Sequence, residues 1–257
     1  MKEIVQRIKQ KKELRSINDS IVLEQLQAYL KQHPKLKWDN SRSADYKQMI
    51  KDVRAKLRRS YGLFREEKIE VKDFKEVKSI LESHSSTKER LPFYSEIYRK
   101  IFKITGIPAT ILDLGCGINP LSVEYMNLKK LNYYAYDISE KEVELINRFF
   151  TEKKISGKAQ VLDVSKVDLV KKMPPADVAF MFKITDILDR GRGHKKTEEI
   201  LTAVPAKLVV ISFPTLTMSG KPMNAPHRKW MEWLCERLRL EYQVLEFSNE
   251  IFYIIRK

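Results

Sequence analysis

The chain has 257 residues, 43% of them apolar, with 49 Lys and Arg against 34 Asp and Glu and a formal charge of +15. That length buries a real core in one or two domains, and two cysteines, Cys116 and Cys235, exclude a disulfide-stapled scaffold. Neither cysteine has metal-ligand company, so no metal is expected. No apolar run approaches the roughly 20 residues that span a bilayer, and Met1-Lys2-Glu3-Ile4-Val5 lacks the apolar core of a signal peptide. A cytoplasmic protein with reduced thiols is expected. The positive excess fits a polyanionic partner, most simply nucleic acid, although a lysine-rich proteome gives the same composition. It is unevenly spread: residues 1–100 carry 25 basic and 15 acidic residues, and residues 101–257 carry 24 and 19.

Residues 1–32 read as helices, with Ile4, Val5 and Ile8 on one apolar stripe and Ile21, Val22, Leu26 and Leu30 on another. Asn18-Asp19-Ser20 is a helix start. The segment from His33 to Asn40 breaks the pattern and reads as a loop. A third helix is expected from Ser43 to about Tyr61, with Met49, Ile50, Val53 and Leu57 inward. Its polar side carries Arg54, Lys56, Arg58 and Arg59, either a solvated face or a phosphate-binding one. Gly62 ends it, and residues 68–82 read as helical again. The first 104 residues thus form a basic α-helical domain suited to docking on RNA. In Ser83 to Leu91, Ser86 or Thr87 is placed to cap the helix bearing Tyr94, Ile97, Tyr98 and Phe102. Alternatively, Arg90 pairs there with a ligand carboxylate.

From Ala109 onward strands and helices alternate, which predicts a mainly parallel sheet covered on both faces over residues 105–257. Strands are expected near 110–114, 132–137, 158–162, 177–182 and 207–213, and helices near 120–129, 139–153, 195–203 and 224–239. Two apolar runs, Glu241 to Phe247 and Ile251 to Arg256, close the chain as an antiparallel hairpin. The first strand runs straight into Gly115-Cys116-Gly117, where missing Cβ atoms let a ligand approach the backbone. Asp137 follows twenty residues after Gly117, at the tip of the second strand, where it can accept both hydroxyls of a ribose. A dinucleotide site asks for a third glycine, and Pro120 stands at that position. S-adenosylmethionine carries no phosphate and needs only the paired glycines and the ribose acid. Asp163, with Val164 beside it, ends the third strand, either receiving an adenine amino group or capping the next helix.

Phe182-Lys183 ends the fourth strand and Phe213-Pro214 the fifth. Basic residues follow both: Arg190, Arg192 and Lys195, then Lys221 and Arg228. Ligands of open α/β sheets bind past the C-terminal ends of the strands, and aromatics beside cations suit a base and its phosphates. No Asp/Asn-Pro-Pro-aromatic run grips an exocyclic amine, and no cysteine stands at the fourth strand tip to attack a pyrimidine. A ring nitrogen such as guanine N7 needs neither, nor a general base, because its lone pair is free at neutral pH. Catalysis then reduces to aligning N7 with the methyl group, with Phe182, Lys183, Phe213 and Pro214 as candidates to position the base.

Several runs in order resemble one family, the aminoglycoside-resistance 16S ribosomal RNA guanine-N7 methyltransferases. They are His84-x-Ser86-Thr87-Lys88-Glu89-Arg90-Leu91, Leu112-Asp113-x-Gly115-Cys116-Gly117-x-Asn119-Pro120-Leu121 and Tyr136-Asp137-Ile138. Phe182-Lys183, Ser212-Phe213-Pro214-Thr215 and Asn249-Glu250-x-x-Tyr253-x-Ile255 complete the set. The resemblance implies a Rossmann-type class I methyltransferase domain with a C-terminal antiparallel hairpin, preceded by a helical domain that docks on the 30S subunit. It implies S-adenosylmethionine as cofactor, with Arg90 on its carboxylate, Gly115 and Gly117 along its methionine, Asp137 on its ribose and Asp163 with Val164 on its adenine. His84, Asp113 and Ile138 join the site through the same motifs. It further implies methylation of a decoding-site guanine in 16S rRNA, blocking certain aminoglycosides; a monomer is expected. The chain departs from the family at Thr185-Asp186, where members carry Leu-Pro, and after Gly220, with Pro222 and Pro226. Both departures bear on the nucleotide more than the cofactor. Methylation of another RNA position, by a housekeeping relative for instance, and a non-catalytic ribosome assembly factor that holds S-adenosylmethionine remain alternatives.

Overall fold

The structure is a computed structural model that describes the chain except residues 62–70, 72, 190–192 and 218–219 and the side chains of 59–61. Arg59, Arg190 and Arg192, Gly62 and the beginning of the helix expected at 68–82 therefore lie outside the described residues.

Three helices open the chain: α1 (Lys2–Lys9), α2 (Asp19–Gln32) and α3 (Ala44–Tyr61). The apolar stripes read from the sequence face one another. Ile4, Val5, Ile8, Ile21, Val22, Leu26, Met49, Ile50, Val53 and Leu57 form one cluster, joined by Leu14, Ile17 and Tyr29. Asn18 caps α2, its side chain accepting from the Ser20 amide at 2.8 Å.

Next come α4 (Val77–Glu82), α5 (Ser85–Arg90) and α6 (Tyr94–Thr105). The Thr87 hydroxyl lies inside α5 and donates to the His84 carbonyl at 3.0 Å, so neither Ser86 nor Thr87 caps the helix bearing Tyr94. That helix begins after a turn at 91–93, because Pro92 has no amide with which to continue α5. By composition the basic helical region runs to residue 104, whereas by packing α4 and α6 share a cluster with the sheet, through Val77, Ile80, Leu81, Tyr94, Ile97, Tyr98 and Ile101.

The sheet contains β1 (Thr110–Leu114), β2 (Asn132–Asp137), β3 (Ser156–Val161), β4 (Ala176–Phe182), β5 (Ala206–Pro214), β6 (Glu241–Glu246) and β7 (Glu250–Arg256). Their order is β3-β2-β1-β4-β5-β7-β6, with β1 to β5 parallel and β7 antiparallel to both neighbours. Burial sorts the strands. In β4, β5 and β7 nearly every residue is buried because both faces are covered, while β3 and β6 carry exposed polar residues and take the edges. One face packs α4, α6 and α7 (Glu140–Glu152). The other packs α8 (Val167–Val170), α9 (Thr185–Asp189), α10 (Lys195–Ala203) and α11 (Lys229–Leu238).

Three elements differ from expectation. The helix expected at 68–82 starts, among the described residues, only at Val77, after a bend and turn at 74–76. The segment after β1 is a tight 3-10 run, Asn119–Met126, which ends when Asn127 turns left-handed at φ 53°. The helix expected from 224 begins only at Lys229. Pro226 disfavours a helical conformation at Ala225, and Arg228 gathers the preceding loop by donating to the Ala225, Pro226 and Pro214 carbonyls.

Candidate functional site

β1 and β4 are neighbours although β2 and β3 lie on the far side of β1, so the chain reverses its winding between them. A crevice opens at such a point, beyond the C-terminal ends of the strands. The glycine turn sits there. Gly115 and Gly117 have φ of 65° and 51°, conformations that favour glycine. Space is tight as well: a Cβ on Gly115 would stand 1.9 Å from Ile184 Cδ1, which would have to move, and one on Gly117 would stand 3.2 Å from the His84 ring. His84 thus lies flush against the turn. The Gly115 and Cys116 amides both donate to the Tyr136 carbonyl, at 2.8 and 3.1 Å, which ties the turn to the end of β2.

Asp137 stands beside this turn and remains partly open to solvent. Its carboxylate accepts from the Gly117 amide at 2.8 Å and from the Ser139 amide at 3.0 Å. Burial of its surroundings raises its pKa, against the lowering effect of the amide donors. Each carboxylate oxygen keeps acceptor capacity beyond its one amide. Asp113 lies beneath, buried, with Oδ2 accepting from Asn119 Nδ2 at 2.8 Å and Tyr133 OH at 2.7 Å. Burial pushes its pKa up to about 6, and the charge of Arg90 offsets part of that rise. Asp113 is therefore an anchor for the loop above it.

Arg90 is only 2% exposed. Its Nε donates to both oxygens of Glu250, at 3.0 and 2.9 Å, and its guanidinium lies 4.8 Å from the centre of the Phe182 ring. Burial works against its charge and Glu250 outweighs that, so its pKa ends above the usual arginine range. Its Nη2 is buried without a hydrogen-bond partner. A carboxylate would supply what that atom lacks. Lys183 joins the same cluster with its ammonium between Glu89 and Glu250, the latter at 3.3 Å. Its backbone is left-handed at φ 54°, a strained conformation of the kind that collects at sites.

At the third strand tip the Asp163 carboxylate accepts from the Ser165 amide at 2.9 Å, and Val164 is buried beside it. This loop is joined to the end of β2, since the Leu162 amide donates to the Asp137 carbonyl at 2.8 Å. Ile138 faces away, against the α1–α3 cluster.

The expected substrate side is more divided. Phe182 is stacked on Phe180 at 4.6 Å and edged by Phe252 at 5.5 Å. Phe213 is 0% exposed, with ring edges against Trp230 and Tyr253, so its place is in the core and it offers no face to a base. Pro214 beside it is partly exposed. Lys195 and Lys221 point to solvent, whereas Arg228 is spent on loop carbonyls. In the first helices, Arg54 donates to the Ile8 carbonyl at 3.1 Å and to that of Arg7, and Arg58 pairs with Glu13 at 2.6 Å. These two cations fasten α3 to the chain around α1. Lys56 is half-buried beside them.

Sequence motifs assigned no role to Glu250, Asn119 or Tyr133. Glu250 carried a signal, a lone acid opening the apolar run Ile251 to Ile255. Its partners Arg90 and Lys183 are brought to it by three separate strand and helix ends, which no spacing reveals.

Known proteins are similar to this chain in sequence and in fold. A 16S rRNA (guanine(1405)-N(7))-methyltransferase of Micromonospora rosea is 32% identical over 180 residues, 68% of this chain and 63% of that protein. The chain thus spans less than two thirds of that relative. The Proteus mirabilis protein of the same name is 27% identical over 243 residues, 82% of this chain and 85% of its own length. The crystal structure of the 16S rRNA methyltransferase RmtF in complex with S-adenosyl-L-homocysteine has the same fold, with a TM-score of 0.77 at 22% identity, covering 99% of this chain and 97% of that one. The model of the ribosomal RNA methyltransferase (FmrO) family matches residues 44–254, most of the chain and every element of the site, and the chain belongs to that family.

Proposed function

We propose that this protein transfers a methyl group from S-adenosylmethionine to N7 of a decoding-site guanine in 16S rRNA, within the 30S subunit, as a cytoplasmic monomer without a metal. The observation that carries the reading is the buried Nη2 of Arg90, unpartnered among the described residues, together with the glycine turn that Asp137 accepts from. A donor with a carboxylate at one end and a ribose diol in the middle satisfies both. The names of the Micromonospora and Proteus relatives support the target and the atom.

Arg90 takes the methionine carboxylate through Nη2 while Glu250 holds the guanidinium from behind. Gly115 and Gly117 let the methionine pass against bare backbone, with His84 closing the turn from the other side. Asp137 receives the ribose hydroxyls, and Asp163 with Val164 receives adenine. S-adenosylmethionine supplies the reactive methyl as a sulfonium, so the protein provides alignment and exclusion of water rather than a base. Phe182, Lys183 and Pro214 border the position of the guanine. In an A-form helix N7 lies in a groove too narrow for side chains, so the base is flipped or its helix opened.

The docking unit is α1–α3 with the loop that follows α2. Since Arg54 and Arg58 are engaged within the protein, the phosphate contacts fall to outward cations. These are Lys35, Lys37 and Arg42 on the loop, which also carries the exposed Trp38, with Lys195 and Lys221 at the mouth of the sheet.

Transfer of labelled methyl from S-adenosylmethionine to purified 30S subunits, followed by borohydride–aniline cleavage, tests the reading. A single cut in the decoding region is expected, together with raised aminoglycoside tolerance in a susceptible host expressing the protein. Label without a cut would reject N7. Binding of donor and subunit without label would favour an assembly factor.

A further inference from the structure

The loop that carries the ribose acid has a second attachment, outside the sheet. Asp137 takes one amide from Gly117 and the other from Ser139. Ser139 also forms an antiparallel bridge with Ile17, in the segment between α1 and α2. The flanking bonds complete a miniature ladder. The Asn18 amide donates to the Ile138 carbonyl at 3.1 Å, and the Glu140 amide to the Ser16 carbonyl at 3.1 Å. Across it the Asn18 side chain donates to Glu140 while accepting from the Ser20 amide that begins α2. Side chains follow the backbone: Ile17 is buried in the α1–α3 cluster, and Ile138 packs against the same cluster from the other side. Lys166, just past Asp163, pairs with Glu24 of α2.

We propose that the Ser16–Asn18 segment is a coupling strap, through which the helices that meet the ribosomal RNA and the acid that holds the donor's ribose fix each other's position. Asn18 is the positioning residue. It caps α2 with one end of its amide and holds Glu140 with the other, so a shift of α2 moves the Ser139 amide on which Asp137 depends. This rests on the reading of the Gly115–Asp137 turn as the donor site. The consequence is thermodynamic. If donor binding orders the strap, then donor and subunit each raise the affinity of the other by the same factor. No contact between the RNA and the donor is needed.

Asn18→Asp separates the two functions of the residue. Aspartate caps a helix as well as asparagine does, so α2 keeps its start, but it repels Glu140 in place of donating to it. Glu140→Gln in that background restores the bond with its polarity reversed. By calorimetry on the full chain with S-adenosylhomocysteine, Asn18→Asp is expected to raise Kd about fivefold, and the double variant to return it to the wild-type value. Donor-free affinity for 30S subunits stays unchanged in both. Amide exchange adds a direct view: S-adenosylhomocysteine slows exchange at Asn18 and Glu140 and within α2, as well as around the glycine turn. Unchanged Kd in Asn18→Asp, failure of the double variant to recover, a matching loss of donor-free subunit affinity, or protection confined to the sheet domain would each overturn the strap. Wild-type protein that binds no S-adenosylhomocysteine would instead remove the donor site itself, and the strap with it.

Discussion

Arg90 and Asp137, both proposed to hold the donor, are expected to answer differently to mutation. Arg90→Ala leaves Glu250 fully buried with Lys183 as its remaining cation. Stranding one partner of a buried pair costs about 3–5 kcal/mol. A clear fall in the urea midpoint is expected alongside lost donor binding, so activity alone is a poor probe there. Asp137 is partly open and holds only backbone amides. Asp137→Ala is expected to raise the Kd for S-adenosylhomocysteine at least about tenfold, equivalent to about 1.4 kcal/mol, while the far-ultraviolet spectrum and donor-free 30S binding are kept. Retained donor affinity would remove Asp137 from the ribose. Asp113 gives a pH signature. Its folded pKa of about 6 lies above the ordinary 3.8, so the folded state binds the extra proton between those values. Its contribution to stability is therefore present below pH 4, declines as pH rises, and is gone above pH 6. Asp113→Asn removes that slope, so thermal scans should show the variant gaining on wild type between pH 4 and 6, by up to about 3 kcal/mol, with a constant difference on either side. The glycine turn and its contact with Asp137 were legible because both lie within a short stretch of chain. Glu250 was not, since its tie to Arg90 spans most of the chain.

α3 shows what a helical pattern reveals and what it withholds. The inward stripe of Met49, Ile50, Val53 and Leu57 followed from periodicity and is buried as expected. The cationic face followed from the same periodicity, yet its purpose depended on neighbours. Arg54 meets the last-turn carbonyls of α1, where a cation is favoured, and Arg58 meets Glu13. Charge reversal at these two residues would disturb the packing of α1 on α3 and confuse docking with folding. Lys35→Glu, Lys37→Glu and Arg42→Glu together act on exposed side chains instead. They should weaken 30S binding and flatten its dependence on salt, by about one unit of slope for each phosphate no longer neutralised, with the melting temperature nearly unchanged. An unaltered slope would move docking off this loop. The misplaced start of α11 has a similar origin, because the loop before it is ordered by Arg228 reaching back to Pro214 on β5.

Across the protein, two units meet at the loop after β2, at the Lys166–Glu24 pair and where α3 packs beside α9. The sheet holds the glycine turn and Asp137, α1–α3 hold their own cluster, and Ile138–Glu140 belongs to both. This divides the expected effects of mutation. On the proposed reading, changes in the exposed loop after α2 are expected to act on the subunit, changes at Asp137 on the donor, and changes at the strap on the coupling between them. Strand order has a comparable logic. β7 enters between β5 and β6 because its residues Ile251 to Ile255 are apolar on both faces, whereas β6 alternates and tolerates an edge.

Residue order was enough to establish the strands and most helices, the alternation that makes a parallel sheet, the closing hairpin, and the glycine-and-acid geometry of the turn after β1. These are set by local periodicity, by φ angles only glycine adopts readily, and by separations of about twenty residues. Only the packed fold revealed that Arg90 rests on Glu250 and Lys183 on both Glu89 and Glu250, and that Phe213 is core. It also revealed that Arg54 and Arg58 fasten helices and that Asn18 reaches Glu140. Each of these is a meeting of side chains far apart in the chain, chosen by the need to pair a buried charge or fill a core. Such needs exist only once the elements have packed.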